Sequence, residues 1–356
     1  MTSVAGRTGP QSDTRSDSMT RRIPPAGRRI LDWIGIPLVA AAGLAAYWVF
    51  PEDLGLLTRI AAAALFVLSL DLVLGYGGIA TLGQAAMFGT GAYAAGIAAV
   101  NWIDDPFALL AVGGVAGGLI ALATGALILH ARGLTLLMLT IAVGQIVQEV
   151  ANKARDWTGG SDGLSGIDPA PVLGMFRFDM VGRTSYLFAL AVLVVGLVVA
   201  RRIVRSPFGL ACRGVKEDPL RISAIGGSPK AYLVALYAVA GVFAGVAGGL
   251  TAVTSGIVGL DSAGFSWSAE ALVMLVLGGT GRLYGAVIGT AAFMGIHHIL
   301  AASDPFHWMA FIGLFLIGIV LFLPGGIVSV GGRLAVLLRP RAGASDDGER
   351  AKGDPR

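Results

Sequence analysis

Long apolar segments separated by short polar turns run through most of this chain, and they constrain its fold more than any other feature. The first, at 33–50, contains no charged residue. A helix needs about 20 mainly apolar residues to cross the hydrocarbon core of a membrane. We therefore predict an all-α polytopic membrane protein with about ten transmembrane helices. The further segments lie at about 54–74, 79–100, 106–130, 133–152, 184–203, 231–253, 266–280, 283–302 and 307–323.

The composition agrees with this architecture. Hydrophobic residues make up 55% of the 356 residues and charged residues only 13%, against about 25% charged residues in soluble domains. A soluble domain of this length could not cover its surface with so few charges, and the chain is equally unlike a disordered or disulfide-rich one. Cys212 is the one cysteine in the sequence, so neither an intramolecular disulfide nor a cysteine-based metal cluster can form.

Positive charge is distributed unevenly between the two sets of turns. If the ten segments alternate across the membrane from a cytosolic N-terminus, the cytosolic pieces hold 21 of the 26 Lys and Arg residues. Positively charged turns resist translocation, so this asymmetry favours cytosolic N- and C-termini. The longest cytosolic loop is then 201–230, and the longest extracytoplasmic loop is 153–183. The predicted domains are a disordered cytosolic tail, a transmembrane domain and a cytosolic C-terminal tail, at 1–32, 33–325 and 326–356.

A polar stripe marks the fifth apolar segment. Its spacing of i, i+3, i+4 and i+7 places the side chains on one helical face. Such a face should avoid lipid, so it either lines a translocation pathway or forms hydrogen bonds with a neighbouring helix. The stripe consists of Gln145, Gln148, Glu149 and Asn152.

Charged residues also occur within or at the ends of other segments. Arg59, Asp71 and Glu270 are the examples outside the stripe. An ionised side chain in hydrocarbon costs at least about 2.5 kcal/mol, so each should face the bundle interior, an aqueous cavity or the membrane interface. Either a substrate pathway or a structural role, as an interfacial charge or ion pair, explains them.

The loop 153–183 contains a glycine-rich stretch at 157–166. Glycines there permit tight turns, so the loop can fold over a pore mouth as a gate or contact an extracellular partner. Gly159, Gly160 and Ser161 are the candidate gate residues. The chain has no P-loop motif anywhere, so we do not expect it to hydrolyse ATP.

The loop 201–230 carries the signals of a short helix at about 219–225. Asp218 is a good N-cap, Pro219 suits the first helical position, and Gly226 with Gly227 provides a stop. An amphipathic helix of this kind either docks into a groove on a partner or packs against its own bundle or the membrane surface. Its apolar residues are Leu220, Ile222, Ala224 and Ile225.

Glycine, at 53 residues, is abundant inside the apolar segments, where it lets helix backbones approach closely. The hexapeptide Gly-Val-Ala-Gly-Gly-Leu occurs at 114–119 and again at 245–250. The two segments run in opposite directions in the predicted topology, so the hexapeptide is either a remnant of an inverted repeat or a coincidence of composition.

Enzymatic and nucleic-acid-binding functions find little support. His297 and His298 are adjacent, unlike the i, i+4 pairs that bind zinc on a helix, and no carboxylate and cysteine cluster accompanies them. The net charge of +4 is not gathered on a recognisable nucleic-acid reader domain. We expect neither an enzyme nor a nucleic-acid partner.

Five ordered blocks between about 55 and 325 resemble the permease subunits of branched-chain amino acid ABC importers. The first reads Gly-Tyr-Gly-Gly-Ile-Ala-Thr-Leu-Gly-Gln and continues to Tyr93. The fourth resembles the cytosolic segment that couples such permeases to their ATPases. The blocks lie at 75–93, at 132–133 with 138–140, at 158–164, at 206–209 with 217–218 and 224–226, and at 268–270 with 276–279, 281 and 285.

The sequence departs from the family pattern at several positions. Gln84 stands where a histidine is common, Thr135 and Leu136 replace aromatic residues, and Ala286 replaces a proline. Ser223 stands near an expected alanine of the coupling segment. These departures bear on the substrate, because similar permeases import urea, short amides or other amino acids.

The resemblance implies a multi-pass subunit in the inner (plasma) membrane, surrounded by lipid. Its partners would be a second, unlike permease subunit, two cytosolic ATPase subunits that bind the ATP, and an extracytoplasmic substrate-binding protein; no cofactor is expected in this chain. The rival from another class is a secondary transporter driven by an ion gradient through Asp71 or Glu149. The expected coupling residues are Glu217, Asp218, Leu220, Ala224 and Gly226. The candidate pathway or gate residues are Gln84, Gln145, Gln148, Glu149, Gly159, Gly160, Ser161 and Glu270.

Overall fold

The computed structural model describes residues 27–131, 133–171 and 182–303, together with Gly313 and Ile317. Helices dominate these ranges. In chain order they are α1 Gly27–Val49, α2 Leu54–Leu70, α3 Gln84–Asn101, α4 Pro106–Ile128, α5 Leu134–Lys153, α6 Arg155–Thr158, α7 Arg183–Arg205, α8 Pro207–Glu217, α9 Pro219–Ala224, α10 Pro229–Ser255, α11 Phe265–Gly278 and α12 Leu283–Ser303. A π-helical segment, Asp71–Tyr76, continues α2 directly.

Six of the described helices are long and apolar enough to cross a membrane: α2 with its π segment, α4, α5, α7, α10 and α12. Two shorter apolar helices, Gly35–Val49 within α1 and Phe265–Gly278, occupy further predicted segments. The multi-pass helical architecture is therefore confirmed, and α3 occupies the segment predicted at 79–100. The helix α1 begins at Gly27, inside the predicted tail 1–32. The segment 307–323 and the tail 326–356 lie almost entirely outside the described residues.

The most extensive helix contact joins α4 to α10. Gly117 of α4 faces Gly245 of α10 so closely that a Cβ atom on Gly117 would lie 2.7 Å from the Gly245 Cα atom. A Cβ atom on Gly245 would collide with the Gly113 carbonyl oxygen. Glycine allows this backbone contact, which gains van der Waals energy where no hydrophobic effect between helices is available. The two copies of the repeated hexapeptide thus pack against each other.

The helix α10 packs against α3 in the same manner. A Cβ atom on Gly248 would meet the backbone of Phe88 and Ala92. Deeper in the bundle, Phe88 packs on Phe66 of α2 with ring centroids 4.8 Å apart, and Trp267 of α11 stacks nearly parallel on Phe66 at 5.9 Å. The helix α10 is therefore the centre of the bundle, with α2, α3 and α4 around it.

The loop 201–230 is more ordered than the sequence predicts. The structure confirms the short helix as α9, but it adds α8, which the sequence analysis missed. The Ser206 Oγ atom caps α8 by accepting from the Gly209 N–H at 3.3 Å, and Pro207 occupies its first turn. The Asp218–Pro219 pair at the start of α9 is a signal of the same kind. The signal of α8 lies directly after α7, so the sequence alone suggests only the polar end of a membrane span there.

Two short strands depart from the all-helical expectation. Strand β1, Leu164–Ser165, pairs antiparallel with strand β2, Ile257–Val258. A 3-10 turn at Gly160–Asp162 precedes β1, and another at Leu260–Ala263 follows β2. The pairing holds the start of the loop 153–183 against the loop between α10 and α11, at the end of α7 opposite to α8.

Candidate functional site

The expected coupling residues lie together on α9 and its flanks, and they project from the bundle. We call this exposed segment, 217–226, the knob. No residue of α9 is buried, and the exposed fractions of Leu220 and Ile225 are 79% and 77%. The Asp218 Oδ1 atom caps the helix by accepting from the N–H groups of Leu220 and Arg221 at 3.0 and 3.2 Å. Ala224 is exposed as well. A bare solvated turn does not need such apolar side chains, so the surface of α9 suits a partner groove.

The end of α9 is open to contact. Gly226 has φ +87°, and a Cβ atom there would meet nothing within 4 Å. Glu217, at the junction between α8 and α9, is also exposed. A side chain at Gly226 would therefore strain the backbone rather than clash with the bundle.

The helix α8 anchors α9 to the bundle. Cys212 and Val215 are buried on its inner face, and Phe208 packs against Tyr232 of α10 with ring centroids 6.3 Å apart. Burial raises the pKa of the Cys212 thiol to about 11. Because this face of α8 is buried, the knob and the ends of α7 and α10 are held together.

Two cationic side chains of α8 contact the π segment that continues α2. The Lys216 Nζ atom donates to the Gly75 carbonyl oxygen at 2.7 Å. The Arg213 guanidinium lies over the Tyr76 ring, 4.7 Å from its centroid, a cation–π geometry. A π-helix leaves carbonyl oxygens poorly matched to its own ladder and occurs often at functional sites. The contacts therefore join the base of the knob to α2.

Asp71, the first residue of the π segment, connects this segment to the turn between α11 and α12. Its side chain is fully buried, and its Oδ1 atom accepts from the Gly281 N–H at 2.6 Å. No described residue hydrogen-bonds to its Oδ2 atom. The cations Lys216 and Arg213 contact Gly75 and Tyr76 of the same π segment. We name the group of Asp71, Gly75, Arg213, Lys216 and Gly281 the polar junction.

The polar stripe on α5 divides between two directions. Gln145 and Glu149 are exposed, and both line a shallow groove of about 610 Å³ on the outer face of the helix. Glu149 also pairs with Lys153 at 3.3 Å. Gln148 is half-buried and turns towards Gly264, near the start of α11. Part of the stripe therefore faces outward from this subunit, where no described element covers it.

Gln84 lies elsewhere, in the interior of the bundle. Its Nε2 atom donates to the Ser69 Oγ atom at 3.1 Å and to the Ala240 carbonyl oxygen at 3.4 Å. These bonds join α3 to α2 and α10. The structure therefore separates Gln84 from the exposed stripe and gives it a bridging position between three helices.

The glycine-rich loop is built on the end of α5. Gly159 and Gly160 have φ values of +75° and +60°, which favour glycine. The Thr158 Oγ1 atom donates to the Ala151 carbonyl oxygen at 2.6 Å and accepts from the Gly160 N–H at 3.3 Å. Ser161 is exposed beside these turns.

Glu270 lies on the exposed side of α11, apart from both the stripe and the loop. Among the described residues, no group of three His, Cys, Asp or Glu side chains could hold a metal ion. The predicted residues thus fall into five separate places: the knob, the outer face of α5, the loop, the bundle interior and the exposed side of α11. Sequence reasoning missed the role of Lys216 and Arg213, whose partners are distant in the chain.

Comparison with known proteins adds the family. The pattern of the family described as branched-chain amino acid transport system / permease component matches residues 54–323. The high-affinity branched-chain amino acid transport system permease protein LivM of Escherichia coli K12 is 28% identical over 327 residues, covering 82% of this chain and 74% of the relative. The protein of the same name from Salmonella typhimurium LT2 gives the same figures. No solved structure matches significantly. This chain therefore belongs to the permease-component family of branched-chain amino acid transport systems.

Proposed function

We propose that this chain is the transmembrane permease subunit of an ATP-binding cassette importer, which carries branched-chain or related amino acids across the inner (plasma) membrane. Two separate cytosolic ATPase subunits supply the energy, a second permease subunit completes the pathway, and an extracytoplasmic binding protein delivers the substrate. The observation that carries the proposal is the exposed apolar knob of α9, held by α8 and the polar junction against three spans of a chain in this family.

The knob supplies binding energy for an ATPase subunit. Leu220 and Ile225 are largely exposed, and burying a large aliphatic side chain contributes about 1.5–3 kcal/mol. In this proposal they enter a groove on the ATPase surface. The α9 helix and both termini then lie on the cytosolic side, as the charge asymmetry favours.

The polar junction carries movement from the knob to the spans. Lys216 and Arg213 bind the π segment that ends α2, and Asp71 binds the turn before α12. A displacement of α8 therefore acts on both spans at once. The ATPases would drive transport by favouring one of two arrangements of these spans, because only a difference in contacts between two states can shift their populations.

The exposed face of α5 completes the proposal. Gln145 and Glu149 face outward into a groove, and facing lipid would be unfavourable for both. We place the second permease subunit against this face, so that the stripe lines a pathway between the two subunits. The glycine-rich loop lies at the same end of α5 as the groove and would border its extracytoplasmic mouth.

The test is ATP-driven uptake by the complete complex in proteoliposomes, with Ala224→Trp compared with Leu187→Trp. Leu187 is an exposed span position on α7, so the second variant controls for added bulk. We expect Ala224→Trp to lower uptake about tenfold or more, which corresponds to losing about 1.4 kcal/mol of docking energy, with normal membrane levels. Unchanged uptake in both variants would contradict the coupling role.

Substrate and energy source are tested in the same liposomes. Leucine uptake that competing urea and acetamide leave unchanged supports amino acid transport, whereas urea uptake would show the urea-importing alternative. Uptake by this chain alone, driven by an ion gradient without any ATPase, would overturn the proposal and support a secondary transporter.

A further inference from the structure

A cavity of about 970 Å³ lies at the end of α2 opposite to the polar junction, and the proposed function does not use it. Residues from α2, α3, α7, α10, α11 and α12 line it, so it lies within the bundle. Its volume is in the range of pockets that bind small ligands, about 300–1,000 Å³. The chemistry of its walls indicates which ligand fits.

Each sign of charge is present once among the residues that line the cavity. Arg59, on α2, is the cation, and Asp261, in the 3-10 turn after β2, is the anion. Within the described part of the chain, neither side chain forms a salt bridge. Both charges are therefore available to a ligand that carries one charge of each sign.

Three threonine hydroxyl groups of the cavity are oriented as acceptors towards a ligand. The Oγ1 atoms of Thr58, Thr251 and Thr254 donate to the carbonyl oxygens four residues earlier, at 2.8, 3.0 and 2.8 Å. Their protons are thus used inside the helices, and their oxygen lone pairs remain for a donor. An ammonium group, with three donors, suits such a wall.

An aromatic and apolar wall completes the cavity. Phe88, Trp267 and Met294 contribute large side chains, and Ala62 and Ala63 make room beside them. The Trp267 Nε1 atom is buried away from the cavity surface, so this wall presents apolar atoms and suits an apolar side chain.

We propose that this cavity binds a zwitterionic α-amino acid with an apolar side chain. Arg59 binds the carboxylate, Asp261 and the threonine oxygens bind the ammonium group, and the aromatic wall receives the side chain. The inference rests on the proposed function in one respect, since it makes the ligand the transported substrate. It places a binding step inside a single permease subunit, separate from the face of α5.

The first test measures protection of an introduced cysteine. In the complete complex without ATP, Gly55→Cys reports on the cavity, because Gly55 lines it and has open space at its Cβ position, and Asn101→Cys, at the exposed end of α3, is the control. Cys212 is buried and burial raises the pKa of its thiol to about 11, so it stays unreactive towards a charged thiol reagent at neutral pH. At L-leucine tenfold above its Kd, we expect alkylation of Gly55→Cys to slow about tenfold, with no change at Asn101→Cys.

The second test identifies the groups that bind each charge. The probes are 4-methylpentanoate, which lacks the ammonium group of leucine, and 3-methylbutylamine, which lacks its carboxylate. Leaving a charged partner unpaired is expected to weaken binding by about tenfold to a hundredfold. Arg59→Gln should remove the advantage of leucine over 3-methylbutylamine, and Asp261→Asn should remove its advantage over 4-methylpentanoate.

Two results would overturn the site. Equal alkylation rates with and without leucine would show that no amino acid binds there. Protection by glycerophosphoethanolamine in place of leucine would assign the cavity to a zwitterionic lipid headgroup. ATP-driven uptake in the same liposomes separates the two proposals: uptake without protection contradicts the cavity alone, and protection without uptake contradicts the proposed function alone.

Discussion

The helices α10 and α5 are both long and apolar, yet they meet the rest of the molecule in opposite ways. In the most apolar 18-residue stretch of each helix, 61% is buried inside the subunit for α10 but only 22% for α5. On α10, Gly245 and Gly248 bring the backbones of α4 and α3 into contact. On α5, Met138 and Ile146 remain exposed beside Gln145 and Glu149.

The difference shows what determines burial inside a membrane. Lipid is as apolar as leucine, so apolar character does not drive one helix against another. Small residues that face each other on two helices favour their association, because they permit close contact along both helices. The helix α5 has one buried glycine, Gly144, and a Cβ atom there would meet nothing within 4 Å. We infer that α10 builds the subunit and that α5 keeps most of its surface for contacts outside it.

The largest effect is expected from Gly245→Leu. The added side chain must enter the space held by the Gly113 carbonyl and the Gly117 Cα atom, which lies 3.0 Å from a Cβ at this position. Overpacking a core costs about 1–3 kcal/mol, and here backbone rather than side chain must move. We expect little folded protein, measured as membrane level and thermal stability in detergent.

Gly144→Leu on α5 is the matched control for that substitution. Open space surrounds its Cβ position, so the isolated subunit should keep its thermal stability within about 0.5 kcal/mol. If the two variants unfold alike, the contrast between α10 and α5 is wrong.

A smaller effect, on assembly rather than folding, is expected from Gln145→Leu combined with Glu149→Leu. The ion pair of Glu149 with Lys153 is exposed and contributes about 1 kcal/mol or less, so the isolated subunit should remain as stable as the original. Uptake by the complex should fall about tenfold, because the outer face of α5 loses its polar groups. Normal uptake would mean that the stripe does not face the pathway.

The smallest effect is expected from Lys216→Met. This variant tests whether the polar junction couples ATP hydrolysis to transport or only stabilises the fold. The substitution removes the donor to the Gly75 carbonyl oxygen but leaves the glycine contacts of α10 in place. Lys230→Met, at the exposed start of α10, is the control. We expect the ratio of transported substrate to hydrolysed ATP to fall about threefold in Lys216→Met only, from parallel uptake and ATPase assays. Parallel loss of both activities would indicate a purely structural role.

The spans could be predicted because their signals are local. Apolar length located ten segments, and helices occupy the nine that lie in the described part of the chain. The capping signals of Asp218 and Pro219 located α9, and the same signals at Ser206 and Pro207 predict α8 once α7 is known to end at Arg205.

Contacts between distant residues could not be predicted in this way. Asp71 binds Gly281, 210 residues further along the chain. The two-residue strands β1 and β2 are too short to show alternation. Gln84 and Gln145 are the same amino acid on apolar helices, and only the packing of α10 beside α3 decides that the first is buried.

The central position of α10 also has a consequence in time. The ribosome completes α4 at Ile128 and α10 only at Ser255. At about 5–20 residues per second, this leaves roughly 6–25 s in which α3 and α4 are made but their main partner is not. During that interval their glycine-lined faces meet lipid or an insertion factor. The membrane-insertion machinery must therefore protect an unfinished bundle, and chains truncated before α10 should be favoured targets of membrane proteases.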